Sequence, residues 1–171
     1  SDYLCDDPTP DLYGGFGTSF RWRGFDLSAS FTYSIGGLTY DGGYAGYMAP
    51  PGGTVGSNYH VNVFEAWTPE NKDAKYPKRI ASNSQSGNYY DSDNFLFKGD
   101  FLRLKNATVS YNLPKAFTKK ANITNARVYV AGANLLTFSG LHVDPEIQQS
   151  GYYSMGMPSM RTVTFGLEVS F

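Results

Sequence analysis

The feature that most constrains this chain is a strict alternation of apolar and polar side chains. The alternation runs for eleven residues in FDLSASFTYSI, residues 25–35. Because successive side chains of a strand point to opposite faces, this segment predicts a β-strand with one apolar and one polar face. Its length exceeds the mean strand of globular proteins, about 5–6 residues, and matches the roughly 9–11 residues with which a tilted strand crosses a bilayer.

The same alternation occupies RTVTFGLEVSF, residues 161–171, where every second side chain is apolar. On its own this pattern also fits a half-buried strand of a soluble antiparallel sheet. Chain termini commonly fray unless they are tied into a sheet. Because Phe171 still obeys the period, we expect this segment to be paired as a strand up to its last residue.

Three further segments show strand patterns, so that we predict an all-β, antiparallel fold. The five predicted strands span residues 13–23, 25–35, 99–113, 125–138 and 160–171. The first two meet at Arg23-Gly24, which predicts a tight hairpin. In the third strand the alternation slips at Lys105-Asn106, which predicts a β-bulge. The facing of the fourth strand stays unassigned, because Leu135 and Leu136 conflict with its period.

Two long connections, residues 36–98 and 140–157, are predicted as loops. One helical turn is expected in HVNVFEAWTPEN, residues 60–71. Structureless loops of this length are uncommon in compact domains and are commonly functional or disordered. Long loops on one side of a sheet and short turns on the other are typical of outer-membrane barrels, whose long loops are extracellular.

The long loops are rich in aromatic side chains, and three interpretations of them remain open. Such residues suit a girdle at the membrane boundary or internal packing, contact with a protein partner, or stacking on a ligand such as a sugar ring. The aromatic residues are Tyr40, Tyr44, Tyr47, Tyr59, Trp67, Tyr89, Tyr90, Tyr152 and Tyr153. As candidates for contact with a ligand or partner we single out Trp67, Tyr44, Tyr47, Tyr152 and Tyr153.

Composition argues against several classes of function. The net charge is −1 and no basic stripe is present, so nucleic-acid binding is not expected. Cys5 is the single cysteine, and His60 and His142 do not have the spacing of zinc ligands. No nucleophile elbow or phosphate-binding glycine motif appears. We therefore predict no catalytic residues, no metal, no cofactor and no enzymatic activity.

Six segments, in this order, carry a resemblance to a known family. They are DPTPDLYGGFGTSFRWRGFDLSASF, WTPEN, FLRLKNATVSYNLPKAF and ARVYVAGANLLTFSG, followed by DPE and RTVTFGLEVSF. The set resembles the carboxyl end of the SusC/RagA family, the TonB-dependent transporters of the Bacteroidetes outer membrane. Cys5 departs from the family pattern, which often has Gly there, and residues 36–59 match no family motif.

The resemblance implies a fold and a set of partners. Family members close a barrel of about 22 strands around a plug, so that five strands are about the last quarter of the wall. The partners implied are the remaining barrel and plug, outer-membrane lipid, TonB, a SusD-like surface lipoprotein, and a glycan or peptide ligand. The expected location is the outer membrane, crossed several times, with the C-terminus on the periplasmic side. The alternative is a soluble or surface β-sandwich that binds or adheres and transports nothing.

The resemblance also implies roles for individual residues. The terminal aromatic and the outward residues before it would form the signal that the barrel-assembly machinery reads, namely Phe171, Val169, Leu167 and Phe165. Polar residues of the opposite parity would line the lumen, and the candidates are Asp26, Ser28, Ser30, Thr32 and Glu168.

Overall fold

The computed structural model describes residues 7–49, 56, 58–79, 92–119, 122–146, 152–153 and 156–171. In chain order the strands are β1 (Leu12–Trp22), β2 (Phe25–Ile35), β3 (Leu38–Asp41), β4 (Leu96–Lys98), β5 (Phe101–Asn112), β6 (Asn125–Ser139), β7 (Tyr152–Tyr153) and β8 (Thr162–Ser170). The α-helices are α1 (Gly42–Met48) and α2 (Lys115–Thr118). Among the described residues, no helix is long and apolar enough to cross a membrane.

Five long strands form one antiparallel sheet in the order β1-β2-β5-β6-β8. Their ends lie within two residues of the predicted ranges, and the predicted antiparallel fold is confirmed. Within the described residues, β1 and β8 each pair on one side, so the sheet is open at both edges. Phe171 follows β8 and is exposed, so the strand ends one residue before the alternation does.

The register places most of the large apolar side chains of the five strands on one face. Phe16 lies opposite Phe31, and Phe31 lies opposite Leu104. Val130 lies opposite Val109 on one side and Phe165 on the other. Aromatic rings pack along this face, as in Phe16 and Phe31, whose centroids are 4.9 Å apart. We call this surface the apolar face and the opposite surface the polar face.

A bulge in the middle of the sheet keeps the two halves of β5 in phase. Lys105 is the extra residue of β5 against β2, since Leu104 and Asn106 lie opposite the consecutive residues Phe31 and Ser30. This confirms the predicted bulge. On β6, Asn134 and Leu135 together face Lys105, and Asn134 has a φ of 53°.

The same irregularity explains why the facing of β6 is hard to assign from sequence. Gly132 lies on the apolar face, between Ala107 of β5 and Val163 of β8. A Cβ on Gly132 would lie 2.6 Å from Leu135 Cδ2. Leu135 therefore folds back over the glycine, and it lies on the same face as Leu136, which pairs with Leu104.

The apolar face is exposed rather than packed against another layer. Phe165 is 77% and Leu167 67% exposed, and Phe25, Leu27 and Phe16 are exposed as well. In the described part of the chain, the second sheet that a sandwich requires does not cover these side chains. The β-sandwich alternative expected them to be buried, and the structure contradicts that expectation.

The hydrophobic core lies instead in the segments that were predicted to be loops. β3 pairs with β4 in antiparallel and with β7 in parallel, which makes a second, three-stranded sheet. This sheet, α1 and the 3-10 helices Val61–Glu65 and Asp93–Phe95 form what we call the loop body. Its buried core consists of Tyr44, Ala45, Met48, Ala66, Tyr76 and Phe95. Short helices and strands therefore occupy half of the described residues of the long connection predicted at 36–98, and the helical turn expected at residues 60–71 is present.

Local signals explain the elements of the loop body. Asp41 ends β3 and caps α1, because its carboxylate accepts a hydrogen bond from Tyr44 N at 2.8 Å. Ser92 caps the 3-10 helix Asp93–Phe95 in the same way, through Asn94 N. The core was missed because its apolar residues follow no single period, since they come from short elements separated by glycine and proline.

Candidate functional site

The polar face of the five-stranded sheet is the first candidate site. The register places the lumen candidates of β2 opposite polar residues of β5: Asp26 opposite Ser110, Ser28 opposite Thr108, Ser30 opposite Asn106 and Thr32 opposite Arg103. Glu168 of β8 lies opposite Arg127 of β6. All five candidates therefore share one face, on which charged groups gather at two opposite ends.

One gathering, the turn-end cluster, lies near the tight hairpin between β1 and β2. Asp26 accepts hydrogen bonds from Arg21 Nε and from Asn112 Nδ2, the latter at 2.9 Å. Arg127 donates to Ser110 Oγ at 3.0 Å and lies 3.8 Å from a carboxylate oxygen of Glu168. These groups line an open cavity of about 470 Å³. Two cations, Arg21 and Arg127, and two carboxylates, Asp26 and Glu168, balance one another here.

The other gathering, the loop-end cluster, joins the sheet to the segment after β6. Arg103 of β5 is 3% exposed and donates to Thr137 Oγ1 at 3.0 Å, to Glu146 Oε2 at 2.7 Å and to Asp144 Oδ1. Lys105 lies 2.5 Å from Glu146 Oε2, so that the bulge residue joins the same cluster.

Glu146 reaches across the sheet in this cluster. Thr32 Oγ1 donates to Glu146 Oε1 at 2.9 Å. Side chains of two strands, β2 and β5, thus meet the DPE segment, residues 144–146, and β6 joins the cluster through the bond of Thr137 to Arg103. Charges that are removed from water must be paired. The buried guanidinium of Arg103 is paired here with the carboxylates of Asp144 and Glu146.

The carboxylates of this cluster are held ionised. Burial by itself raises the pKa of Asp144, but hydrogen bonds from Ser159 N, Glu146 N and Arg103 outweigh it and bring the pKa to about 2. Burial also raises the pKa of Glu146, and the bonds from Lys105 and Thr32 with the charge of Arg103 lower it by more. The DPE segment is therefore fixed to the wall as an anionic group at neutral pH.

Tyr44 links the elements of the loop body. It is 6% exposed, and its hydroxyl is 2.8 Å from that of Tyr76 and accepts from Asn62 Nδ2 at 2.9 Å. Burial and the bond to Tyr76 raise the pKa of Tyr44 to about 12. Both histidines of the chain, His60 and His142, pack on its ring, at centroid distances of 4.8 and 5.3 Å. Tyr44 was expected to contact a ligand or partner, but its ring and hydroxyl are enclosed by these neighbours and present little surface to either.

The remaining aromatic candidates are distributed over the loop body. Tyr47 and Tyr152 are exposed. Tyr152 stacks on Tyr40 at 5.8 Å and covers Gly42, where a Cβ would collide with its hydroxyl. Trp67 is half-buried, with Lys78 Nζ 5.7 Å from its ring centroid. Tyr153 contributes its backbone to β7, while Tyr89 and Tyr90 fall outside the described residues.

A cleft of about 550 Å³ opens beside the loop-end cluster. It is lined by residues of β6, of the DPE segment and of the segment that precedes β8, among them Thr137, Asp144 and Arg161. Sequence reasoning missed both the cleft and the Arg103 cluster. The signal for the cluster was present in the DPE motif and in Arg103 on the polar parity of β5, but nothing in the sequence pairs them.

Among the described residues, no group of three or more His, Cys, Asp and Glu could hold a metal ion.

The geometry defines a class of protein. An open antiparallel sheet of long strands, apolar and exposed on one face and polar on the other, is a segment of a membrane β-barrel wall. The alternation of lipid-facing and lumen-facing residues along each strand is the signature of that class.

The comparisons with known proteins narrow the class. No family model matches the chain. It is similar to TonB-dependent receptor P3 of Formosa agariphila, with 31% identity over 98% of this chain, and to TonB-dependent receptor P26 of the same organism, with 30% identity over 96%. The chain spans 17% of the length of each of these relatives.

Solved structures agree with the sequence relatives. The RagAB peptide transporter matches with a TM-score of 0.78 and 30% identity, over 96% of this chain and 18% of that chain. The closed-closed state of the RagAB peptide importer matches with a TM-score of 0.77 and 31% identity, over 95% of this chain and 17% of that chain. The resemblance to TonB-dependent transporters of the SusC/RagA type is thereby confirmed.

Proposed function

We propose that this chain is the C-terminal part of the barrel of an outer-membrane, TonB-dependent importer. The observation that carries the proposal is the apolar face, whose large side chains stay exposed while its strands are long enough to cross a bilayer. In lipid every backbone polar group needs a partner, so the free edges of β1 and β8 require further strands. The remaining barrel and the plug supply what five strands lack.

The cargo and partners follow from the same proposal. We infer that the importer takes up oligosaccharides or peptides together with a SusD-like surface lipoprotein and is driven by TonB. The similarity to a structure named the RagAB peptide transporter supports the inference of a peptide cargo. Transport moves a solute and makes no covalent change, so the proposal assigns no catalytic residue.

The proposal gives the two faces and ends distinct roles. The apolar face meets lipid, while Asp26, Ser28, Ser30, Thr32 and Glu168 face the lumen. The long loops lie outside the cell, and the hairpin turn and the C-terminus lie on the periplasmic side. In this orientation the exposed loop-body aromatics Tyr47 and Tyr152, together with Trp67, are placed where a lipoprotein or a ligand approaches.

The proposed assembly signal can be tested separately. Phe171 with Phe165, Leu167 and Val169 would be read by the machinery that inserts barrels. We expect Phe171→Ala to lower the amount of folded transporter in the outer membrane, whereas Ser170→Ala, one residue earlier and of the other parity, leaves it unchanged. Equal amounts for both variants would remove the assembly role from Phe171.

The main test uses the full-length protein in its native membrane. We expect it in the outer-membrane fraction, resistant to urea extraction and migrating faster on a denaturing gel before boiling than after, as folded barrels do. Removal of TonB is expected to abolish growth on the imported nutrient. A full-length protein that is monomeric in buffer without detergent would contradict the proposal.

A further inference from the structure

We infer that the cleft beside the loop-end cluster binds a carboxylate group of the imported solute, and that Arg161 is the cation that holds it. The inference rests on the proposed function, because it treats the cleft as part of the inner wall of an importer. It deepens that function by naming the chemistry of the ligand group.

The position of the cleft suits a solute that enters the barrel. Thr137, which accepts from Arg103, places one side of the cleft on the polar face. The cleft lies at the ends of the strands that carry the long loops, so that on the proposed orientation it is near the extracellular mouth. Its volume of about 550 Å³ falls within the range of small-molecule sites, about 300–1,000 Å³.

Among the residues that the structure describes, the balance of charge leaves one cation of the cleft without an ion-pair partner. Arg103 is already paired with Asp144 and Glu146. Arg161 also lines the cleft, is exposed, and forms no ion pair with any residue that the structure describes. A guanidinium binds a carboxylate through two parallel hydrogen bonds, which makes Arg161 a suitable recognition group.

The second group in the cleft is the side-chain amide of Asn134, whose oxygen lacks a hydrogen-bond donor among the described residues. Asn134 lines the cleft, and its Nδ2 donates to Met160 O at 3.1 Å, which fixes the orientation of the amide. Its Oδ1 is buried and accepts no hydrogen bond from the described residues. Buried polar atoms are nearly always paired, so a donor from a ligand would complete the site.

These two groups together define the ligand chemistry. A carboxylate for Arg161 with an N–H or O–H nearby for Asn134 occurs at the C-terminus of a peptide and in a uronic acid of a sugar chain. The shared feature is the carboxylate, and the experiment separates the two sources.

The test measures binding to the full-length transporter, first shown by its gel shift on boiling to be a folded barrel. The probes are trialanine and its C-terminal amide, and trigalacturonate and its methyl ester. We expect at least one carboxylate probe to bind, its neutral counterpart to bind at least about tenfold more weakly, and Arg161→Ala to remove that difference. Whichever of the two carboxylates binds identifies the source.

Two variants control the interpretation. Arg161→Lys keeps the charge but loses the two-pronged geometry, so part of the preference for the carboxylate should remain. Lys72→Ala removes an exposed cation that does not line the cleft and should change nothing. Failure of both carboxylate probes to bind, or equal preference in wild type and Arg161→Ala, would overturn the inference. Because the gel shift is read on the same sample, such a result would leave the importer proposal standing.

Discussion

The five-stranded sheet and the loop body place their large apolar side chains in opposite ways. The sheet leaves Phe165, Leu167 and Phe25 exposed, whereas the loop body encloses Tyr76, Phe95 and Met48. One chain is thus built for two solvents. On the proposed function, a side chain exposed on the sheet meets lipid, while the loop body lies in water and builds a small core of its own.

The two regions are also stabilised by different forces. Strand pairing holds the sheet, since β2, β5 and β6 each have two neighbours. The loop body has short strands and depends on packing and on hydrogen bonds such as that between Tyr44 and Tyr76. The loop-end cluster ties the polar face to the segment after β6, and His142 of that segment packs on Tyr44 and Phe97. Changes in each region should therefore have distinct consequences.

The largest effect is expected from the residue that joins the regions. Arg103→Ala would leave Asp144 and Glu146 without their buried cation, at a cost of about 3–5 kcal/mol. We expect the DPE segment to detach from the wall and become open to proteases in the folded transporter. Arg21→Ala is the control, because it breaks an ion pair whose arginine is exposed and should cause little or no loss. Equal protease resistance of wild type and Arg103→Ala would contradict this role.

The next effect tests the core of the loop body. Met48 is 0% exposed, so Met48→Ala should destabilise the loop body by about 2–5 kcal/mol through lost burial and a cavity. Leu27→Ala is the control on the sheet, where lipid fills the space that the side chain leaves. Hydrogen exchange of α1 should rise in the first variant and stay unchanged in the second. A similar response to both would mean that the regions do not differ in solvent.

A third change tests the apolar face directly. A lysine on the lipid side of a barrel costs about 2–4 kcal/mol near the middle of the bilayer, whereas a lysine on the lumen side meets water. We therefore expect Phe165→Lys to lower the yield of folded barrel and Thr164→Lys, its neighbour of the other parity, to be tolerated. If Thr164→Lys were the more damaging of the two, the faces would be reversed.

The smallest expected effect is that of pH on the loop-end cluster. The pKa of Asp144 is about 2 in the folded protein and 3.8 for a free group. A lowered pKa means that the carboxylate stabilises the fold fully above about pH 4, and that this contribution is lost as the pH falls toward 2. Hydrogen exchange at Glu146 and Ser159, corrected for its intrinsic pH dependence, should rise in that window. Asp144→Asn should lose the pH response, and a retained response would assign it to another group.

Much of the sheet could be predicted because its strands repeat a period of two. The alternation in FDLSASFTYSI and RTVTFGLEVSF fixes the strands and the two faces, and a slip in that alternation locates the bulge at Lys105. The facing of β6 could not be predicted, because Leu135 folds back over Gly132 beside Asn134, whose φ is 53°. The loop body was missed because its elements are too short to show a period.

The sequence by itself determined that this chain forms long antiparallel strands with one apolar and one polar face, since that property is local to each strand. The tertiary structure alone decided that the apolar face stays open, that Tyr44 is enclosed, and that Arg103 meets Asp144 and Glu146. Such contacts join residues that are far apart in the chain. Thr32 and Glu146, for example, are separated by 114 positions. Their partners are chosen by how strands and loops pack, which no local pattern encodes.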